Sequence, residues 1–443
     1  MQHGIRHPAR LVPAGFLAII ALGTALLMLP LSRAAEGAAP FMTALFTAVS
    51  ATCVTGLAVV DTPTYWSSFG QGVILLLFQV GGFGIMTGAS LLGLLVSRRL
   101  GLATRLAAQS ESRSVTLGDV FSLLRLVLTV TVVMEAAVAS ALAARLHWGH
   151  GLPWGEAWWH GLFHAVSAFN NAGFSTWSDN LMAFGGDALV IVPIMLAIVI
   201  GGIGFPVLHE LRREPGQWHR WSIHTRLTLA GTALLLAVGF VGMLAYEWHN
   251  PRTLGPLGVA DKVLGAMFHS VSARTAGFNT LDVGGMQTQT LALHLGLMFV
   301  GGGSAGTAGG IKVTTFLLLG LVVWAEVRGA RDTTAFHRRI AVEAQRQALT
   351  VVLLGTTAVA LGTLALLSFT PFPFEQVAFE AVSAFATVGL STGITPRLPE
   401  SAQAVLVALM FVGRVGTVTV VTALALRRHE APYRYPEERP IVG

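Results

Sequence analysis

Four short segments of the chain repeat one arrangement: a serine and an alanine, a few small or polar residues, a glycine, then leucine or phenylalanine. They read Ser50-Ala-Thr-Cys-Val-Thr-Gly56-Leu57, Ser167-Ala-Phe-Asn-Asn-Ala-Gly173-Phe174, Ser272-Ala-Arg-Thr-Ala-Gly277-Phe278 and Ser383-Ala-Phe-Ala-Thr-Val-Gly389-Leu390, the third one residue shorter. Their chemistry is that of the backbone. Small residues beside a glycine let carbonyl oxygens turn toward a common axis, and a ring of carbonyls can replace the hydration shell of a cation. The candidate ion-binding residues are Val54, Thr55 and Gly56, Asn171, Ala172 and Gly173, Thr275, Ala276 and Gly277, and Thr387, Val388 and Gly389. A helix ending at each segment would add the partial negative charge of its C-terminus. For one segment alone, a glycine that merely ends a helix is the simpler account; four in phase argue for a shared filter.

A second motif recurs about two dozen residues after each glycine: Val80-Gly-Gly-Phe-Gly84, Ile200-Gly-Gly-Ile-Gly204, Val300-Gly-Gly-Gly303 and Val412-Gly-Arg-Val-Gly416. Two motifs repeating in step mark internal repeats, each about a quarter of the chain. The elements that carry them follow from composition. Of 443 residues 53% are hydrophobic and 11% charged, against about 25% charged in a soluble domain, which excludes a soluble enzyme. The charges bunch, leaving uncharged runs between Arg10 and Arg33, Asp61 and Arg98, Asp187 and His209, Arg226 and Glu247, Asp282 and Lys312, and Arg346 and Glu375. Each reaches the ~20 residues of a membrane span.

Each unit therefore reads as an apolar helix, a short amphipathic helix, the glycine loop and a second apolar helix. The first helices are expected near Leu11–Leu31, Phe121–Leu142, Leu227–Tyr246 and Leu349–Phe369, the second near Phe69–Val96, Ala188–His209, Thr290–Val323 and Ala404–Leu426. Stretches such as Trp154–Ser167 and Phe374–Ser383 are too short to cross and return, and read as re-entrant half-helices. The expected fold is an all-α polytopic membrane protein with four M1–P loop–M2 repeats, eight transmembrane helices and four pore helices, pseudo-fourfold about one pore. The units are expected at 1–113, 114–222, 223–340 (with a gating loop at 301–310) and 341–443, the last ending in a cytoplasmic tail. Irregular backbone survives at membrane depth only where protein shields it or water fills a path.

Lys plus Arg number 28 and Asp plus Glu 22, for a net charge of +6. The arginines gather at one end of each unit: Arg98, Arg99, Arg105 and Arg113; Arg212, Arg213, Arg220 and Arg226; Arg328, Arg331, Arg338, Arg339 and Arg346; Arg427 and Arg428. With Arg6 and Arg10 they define one face, expected to be cytoplasmic with both termini. This basicity is a topology signal and implies no nucleic-acid partner. The lone Cys53 excludes a disulfide framework and a cysteine-rich metal site. The run Leu11–Leu31 exceeds the ~7–15 residues of a signal-peptide core and is expected to stay as the first span.

Two features depart from fourfold repetition. Gly301, Gly302, Gly303, Ser304, Ala305, Gly306, Thr307, Ala308, Gly309 and Gly310 form a run followed by Lys312. Glycine costs up to ~1 kcal/mol per residue in a helix relative to alanine, so the second helix of unit 3 should break there. Close helix packing on small residues is the alternative. Arg414 takes the place of Gly82, Gly202 and Gly302 in the second motif, flanked by uncharged residues from 401 to 413 and from 415 to 426. Such a charge is expected to face the pore and bond the 301–310 segment rather than snorkel.

Gly302-Gly-Ser304-Ala-Gly306 also matches the nucleophile elbow of serine hydrolases. An intramembrane serine protease would need a histidine base. His337 and His429 lie in arginine-rich stretches, and His269 is matched in the second unit by His164 with no such serine, which leaves His269 and His294 as remote partners. Gly-x-Gly-x-x-Gly from Gly301 to Gly306 lacks a βαβ context, and no Gly-x-x-x-x-Gly-Lys-Ser/Thr loop exists, so nucleotide control would need a partner. A carrier with alternating access is the nearer rival, though carriers are commonly two-part. Glu135 is left unassigned, and Glu380 reads as a pore-helix anchor or an outer-mouth site.

The fourfold plan, with Thr52-Cys-Val-Thr-Gly-Leu57, Asn170-Asn-Ala-Gly-Phe174, Arg274-Thr-Ala-Gly-Phe278 and Ala386-Thr-Val-Gly-Leu390, resembles the potassium-translocating subunits of the Ktr and Trk systems over nearly the whole chain. The short segment before the first helix and the Arg434-Tyr-Pro-Glu-Glu438 tail resemble the KtrB-type branch. The resemblance implies a homodimer in a bacterial cytoplasmic membrane with one pore per protomer, and potassium uptake promoted by sodium. It also implies control by a KtrA-like cytoplasmic ring that binds nucleotide, no cofactor bound by the chain itself, and a gating role for the 301–310 loop. One glycine per loop departs from the Thr-Val-Gly-Tyr-Gly filter of tetrameric channels, so fewer ion sites and weaker discrimination against sodium are expected.

Overall fold

The computed structural model describes residues 8–99 and 117–416 with Pro436 and Glu438, and side chains for 12–84, 125–416 and those two. The expected 113/114 boundary, the side chains of Arg98, Arg99, Arg105, Arg113, Arg427 and Arg428, and Arg434 of the tail lie outside the described residues.

The described residues form four successive groups of helices. The first is α1 (Pro8–Leu27), α2 (Phe41–Thr52), the single turn α3 (Thr62–Tyr65) and α4 (Ser68–Arg99); the second is α5 (Leu117–His150), α6 (Trp154–Asn170), α7 (Ala188–Ile203) and α8 (Phe205–Arg213). The third is α9 (Ile223–Glu247), α10 (Val259–Ser272), α11 (Thr288–Phe299) and α12 (Val313–Val327), and the fourth α13 (Val342–Phe369), α14 (Phe374–Phe385) and α15 (Glu400–Phe411). A hairpin of β1 (Thr334–Ala335) and β2 (Arg338–Arg339) joins the last two groups.

Helices α9 and α13, with residues 125–150 of α5, are long and apolar enough to span a bilayer unbroken. Their outer faces are apolar: Val241, Leu361 and Leu364 are each more than 60% exposed. A helix apolar on its outside as well as its inside needs lipid around it. The short helices α2, α6 and α14 each begin directly after a proline, Pro40, Pro153 and Pro373. A missing N–H costs nothing at a helix start, where the first donors have no partner inside the helix.

The groups close into a ring. The second long helix of each packs on the short helix of the next: α4 on α6, α7 on α10, α11 on α14, and α15 back on α2.

Apart from the break expected in unit 3, the sequence pattern treats the second helices as continuous; among the described residues α4 runs through, whereas the others are interrupted. The expected continuous helix Ala188–His209 is instead bent by 96° between α7 and α8. Gly204 turns there with φ 102°, and a Cβ on it would lie under 3.0 Å from Ser304 O. The 301–310 segment bonds the backbone at this bend: Gly303 N donates to Gly202 O, Thr307 N to Gly201 O, and Phe205 N to Ala305 O. In unit 3 the helix breaks, as glycine density predicts, into the connection from Val300 to Lys312. In unit 4 it passes into a π-turn, Val412–Gly416, that carries Arg414.

Candidate functional site

Each short helix ends in a loop with one recurrent backbone form. A left-handed residue stands two before the glycine: Val54 (φ 57°), Asn171 (59°), Thr275 (79°) and Thr387 (49°), followed by Gly56 (90°), Gly173 (71°), Gly277 (77°) and Gly389 (96°). Left-handed backbone is costly for residues other than glycine, so four such residues in step mark a shared constraint. The third loop keeps this spacing although its motif is shorter; the missing residue falls at the helix end.

The four glycines touch in a closed circle. A Cβ on Gly56 would lie under 3.0 Å from Ala172 O, on Gly173 from Ala276 O, on Gly277 from Val388 O and on Gly389 from Thr55 O. Each loop therefore presses the backbone just before its own glycine against the glycine of another loop. The recurring serine, which has no role in the sequence reading, ties each loop to its helix. Ser50 Oγ donates to Leu57 O (2.7 Å), Ser167 Oγ to Phe174 O (2.8 Å) and Ser272 Oγ to Phe278 O, while Gly389 N donates to Ser383 Oγ (3.1 Å).

The residue three before the serine forms a second tie. Glu380, fully buried, accepts from Ser391 Oγ (2.7 Å), Thr392 N (2.9 Å) and Thr395 Oγ1 (2.6 Å). His269 Nε2 accepts from Thr280 N (3.3 Å), and His164 Nε2 meets Ser175 Oγ at 2.9 Å. Of the two roles expected for Glu380, the geometry supplies the anchor. The first glycine of the second motif explains itself by close approach: a Cβ on Gly81, Gly201 or Gly413 would run into the helix-end carbonyls of Thr52, Phe169 and Phe385. Glu135 joins a cluster in which Gln79 Nε2 donates to its Oε2 (3.2 Å) and Asn170 Nδ2 to its Oε1 (3.2 Å).

The connection 300–312 lies against these loops. Gly301 N donates to Ile311 O (2.9 Å), Gly303 N to Gly202 O (2.8 Å) and Thr307 N to Gly201 O (3.0 Å). Thr307 Oγ1 donates to Phe169 O (3.1 Å) at the end of α6, and a Cβ on Gly309 would collide with Ala386 O and the Thr387 side chain of the fourth loop. Arg414, 2% exposed, donates from Nη1 to Thr307 O (2.5 Å), and Lys312 Nζ donates to Ala308 O (2.6 Å). Arg274, to which the sequence reading gives no role, donates from Nη2 to Gly301 O (2.7 Å) and from Nη1 to Thr232 O (3.3 Å). Its signal in the sequence is a charge inside an otherwise uncharged loop motif.

Ser304 Oγ meets Thr314 Oγ1 at 3.4 Å, not a histidine. His294 Nδ1 is engaged by Thr290 O (2.9 Å) and His269 by Thr280. Among the described residues no group of three or more His, Cys, Asp or Glu side chains is placed to hold a metal. The groups brought together at the four glycines are backbone carbonyls of neighbouring loops.

The apolar helices define a polytopic helical membrane protein, and its relatives are transport proteins, not enzymes. The family model described as TrkH, cation transport protein, matches residues 2–431, and the chain belongs to that family. It is 41% identical over 436 residues to the Ktr system potassium uptake protein B of Bacillus subtilis (strain 168), covering 98% of this chain and 97% of that one. It is 36% identical over 445 residues to the potassium/sodium uptake protein NtpJ of Enterococcus hirae, covering 98% and 97%. The crystal structure of the potassium transporter TrkH from Vibrio parahaemolyticus has the same fold, with a TM-score of 0.75 at 18% identity over 97% of this chain and 86% of that one.

Proposed function

We propose that the protein takes up potassium across a bacterial cytoplasmic membrane through one pore per protomer, with the four glycine loops as its selectivity filter. The closed circle of Gly56, Gly173, Gly277 and Gly389, each against another loop's backbone, carries this reading. Four loops held at one level by serine ties and left-handed backbone present a fixed set of carbonyls, and a fixed set can match one ion's dehydration cost better than another's. A carrier that alternates access between two halves has no need of a ring closed on all four sides.

The connection 300–312 is the gate. It touches unit 2 through Gly201, Gly202 and Phe169, unit 4 through Ala386, Thr387 and Arg414, and filter loop 3 through Arg274. A segment so placed obstructs the path from the filter toward the arginine-rich face, which is cytoplasmic. The printed names of the relatives support potassium as the cargo and sodium as a second ion. The name Ktr system supports further subunits; here these are a second copy of the chain and a cytoplasmic ring that binds nucleotide, whose state sets the gate.

The test is rubidium uptake into vesicles containing the purified protein, with and without sodium and with and without a nucleotide-loaded ring. Pore-like rates, competition by potassium, and stimulation by sodium and by the ring are expected. Turnover at carrier rates independent of the ring would refute the gated-pore reading.

A further inference from the structure

At the position three before the filter glycine, the four loops carry Cys53, Asn170, Arg274 and Ala386. Only the third is charged. Arg274 is 6% exposed, and among the described residues no carboxylate forms an ion pair with it. An unpaired guanidinium in a membrane interior is expensive, and such residues bond backbone carbonyls or face a cavity. Arg274 does both. Its Nη2 donates to Gly301 O and its Nη1 to Thr232 O of α9, and it lines a small cavity with Thr232, Leu236, Val271, Gly202 and Gly302.

The two ends of this interaction are the two parts of the proposed pathway. In the chain, Arg274 immediately precedes Thr275, the left-handed residue of filter loop 3; across the bond, Gly301 opens the gate segment. Gly301 is also packed against the loop directly, since a Cβ on it would lie 3.2 Å from Thr275 Cγ2. At the far side of the segment, Arg414 holds Thr307 O from a different unit. Gly302 borders the same small cavity as Arg274.

We propose that Arg274 is a positioning residue that couples gate to filter. It fixes Gly301 to filter loop 3, so that a displacement of the gate segment is felt at Thr275 and alters which ion the filter prefers. This rests on the filter and gate of the proposed function and goes beyond it: Arg414 sets only whether the path is open, whereas Arg274 links opening to selectivity. The guanidinium fork suits the task because it holds two carbonyls, Gly301 O and Thr232 O, in one plane, which an ammonium cannot do.

The experiment compares rubidium influx and rubidium-over-sodium preference at matched membrane content for the full-length protein and its Arg274→Gln, Arg274→Lys and Arg414→Ala variants. Arg414→Ala is expected to raise influx and leave the preference within about twofold, a change too small for a lost charge-assisted bond. Arg274→Gln is expected to shift the preference by about tenfold, the scale of one lost hydrogen bond to a charged group. Arg274→Lys should fall between, keeping charge and one carbonyl contact. If Arg274→Gln lowers influx or protein content with an unchanged preference, the residue merely supports the fold and the coupling is overturned. If Arg274→Gln does not insert, Arg274→Lys decides: wild-type preference overturns the proposal, a shifted one supports it. Failure of Arg414→Ala to raise influx refutes the gate itself, an outcome distinct from failure of the coupling.

Discussion

Gly277→Ala adds one methyl group at the tightest kind of contact in the ring. Its Cβ would lie under 3.0 Å from Val388 O and 3.0 Å from Gly389 Cα, on backbone at φ 77°. Holding an L-residue in the left-handed region costs roughly 1–2 kcal/mol, and forcing an extra methyl into a packed site about 1–3 kcal/mol. Together these bias the native ring by ~2–5 kcal/mol, which at about 1.4 kcal/mol per tenfold lowers its population roughly 30-fold to several-thousand-fold. The obstacle is backbone on both sides, so no rotamer change relieves it. Gly393→Ala supplies the control: its φ is 85°, yet a Cβ there meets nothing within 4 Å. It incurs the conformational cost alone and leaves the ring intact. Rubidium influx and potassium competition, measured at matched membrane content, should collapse for Gly277→Ala and persist for Gly393→Ala; Gly277→Asp should be at least as severe. Wild-type influx and ion preference in Gly277→Ala would refute the filter reasoning, and equal loss in both variants would show that backbone strain, not ring contact, is what the assay reads.

Arg414→Ala removes the donor to Thr307 O, and influx should rise about tenfold, the scale of one charge-assisted hydrogen bond; Arg414→Lys should retain part of the closure, and unchanged influx would count against the gate. Deleting residues 304–308 should raise influx and weaken its dependence on the ring, as expected when a two-state element loses its closed state, whereas abolished influx in an inserted protein would favour plain packing. Glu380→Ala strips the acceptor from Ser391, Thr392 and Thr395, a loss of about 3 kcal/mol or more. It should lower the thermal midpoint in detergent, and an unmoved midpoint would refute the anchor.

The repeat was legible because its signals are local. Glycine spacing, uncharged runs and clustered arginines each report on one short stretch of chain; α9 lies within four residues of its predicted span at both ends, and α13 ends at the predicted Phe369 though it begins seven residues earlier. What was not legible depends on contacts between units. The bend at Gly204 lies where the next unit's segment bonds it, with Ser304 O against Gly204 and Ala305 O accepting from Phe205 N; Gly204-Phe205-Pro206 offers a breaker, but glycine and proline also occur together in unbroken helices such as α1, which contains Pro13 and Gly15. The serines were visible as a pattern without a role, because a hydroxyl bonding a carbonyl six or seven residues ahead has meaning only once the loop's left-handed turns are known. Arg274 was hidden by its neighbours: inside a motif defined by glycine, a charged residue reads as variation.

The shortened third motif and the glycine-rich segment are two sides of one departure from symmetry. In three units the second helix comes up against the last carbonyls of its own short helix: Gly81 against Thr52, Gly201 against Phe169, Gly413 against Phe385. In the third, α10 ends at Ser272 itself, whereas α2, α6 and α14 continue two or three residues past the matching serine. The carbonyl that Gly301 would otherwise meet is absent, and the one it meets is Gly309 O, from its own segment. The residue missing from the helix end leaves room for the segment to fold back on itself, and the Arg274 side chain is anchored to the backbone at its start. The ring of four loops tolerates this because the deletion falls before the left-handed pair, leaving Thr275 and Gly277 in step with the other loops. Symmetry is thus kept at the ring, where four equivalent contacts close the circle, and broken at the one helix end whose shortening makes space for the 300–312 connection.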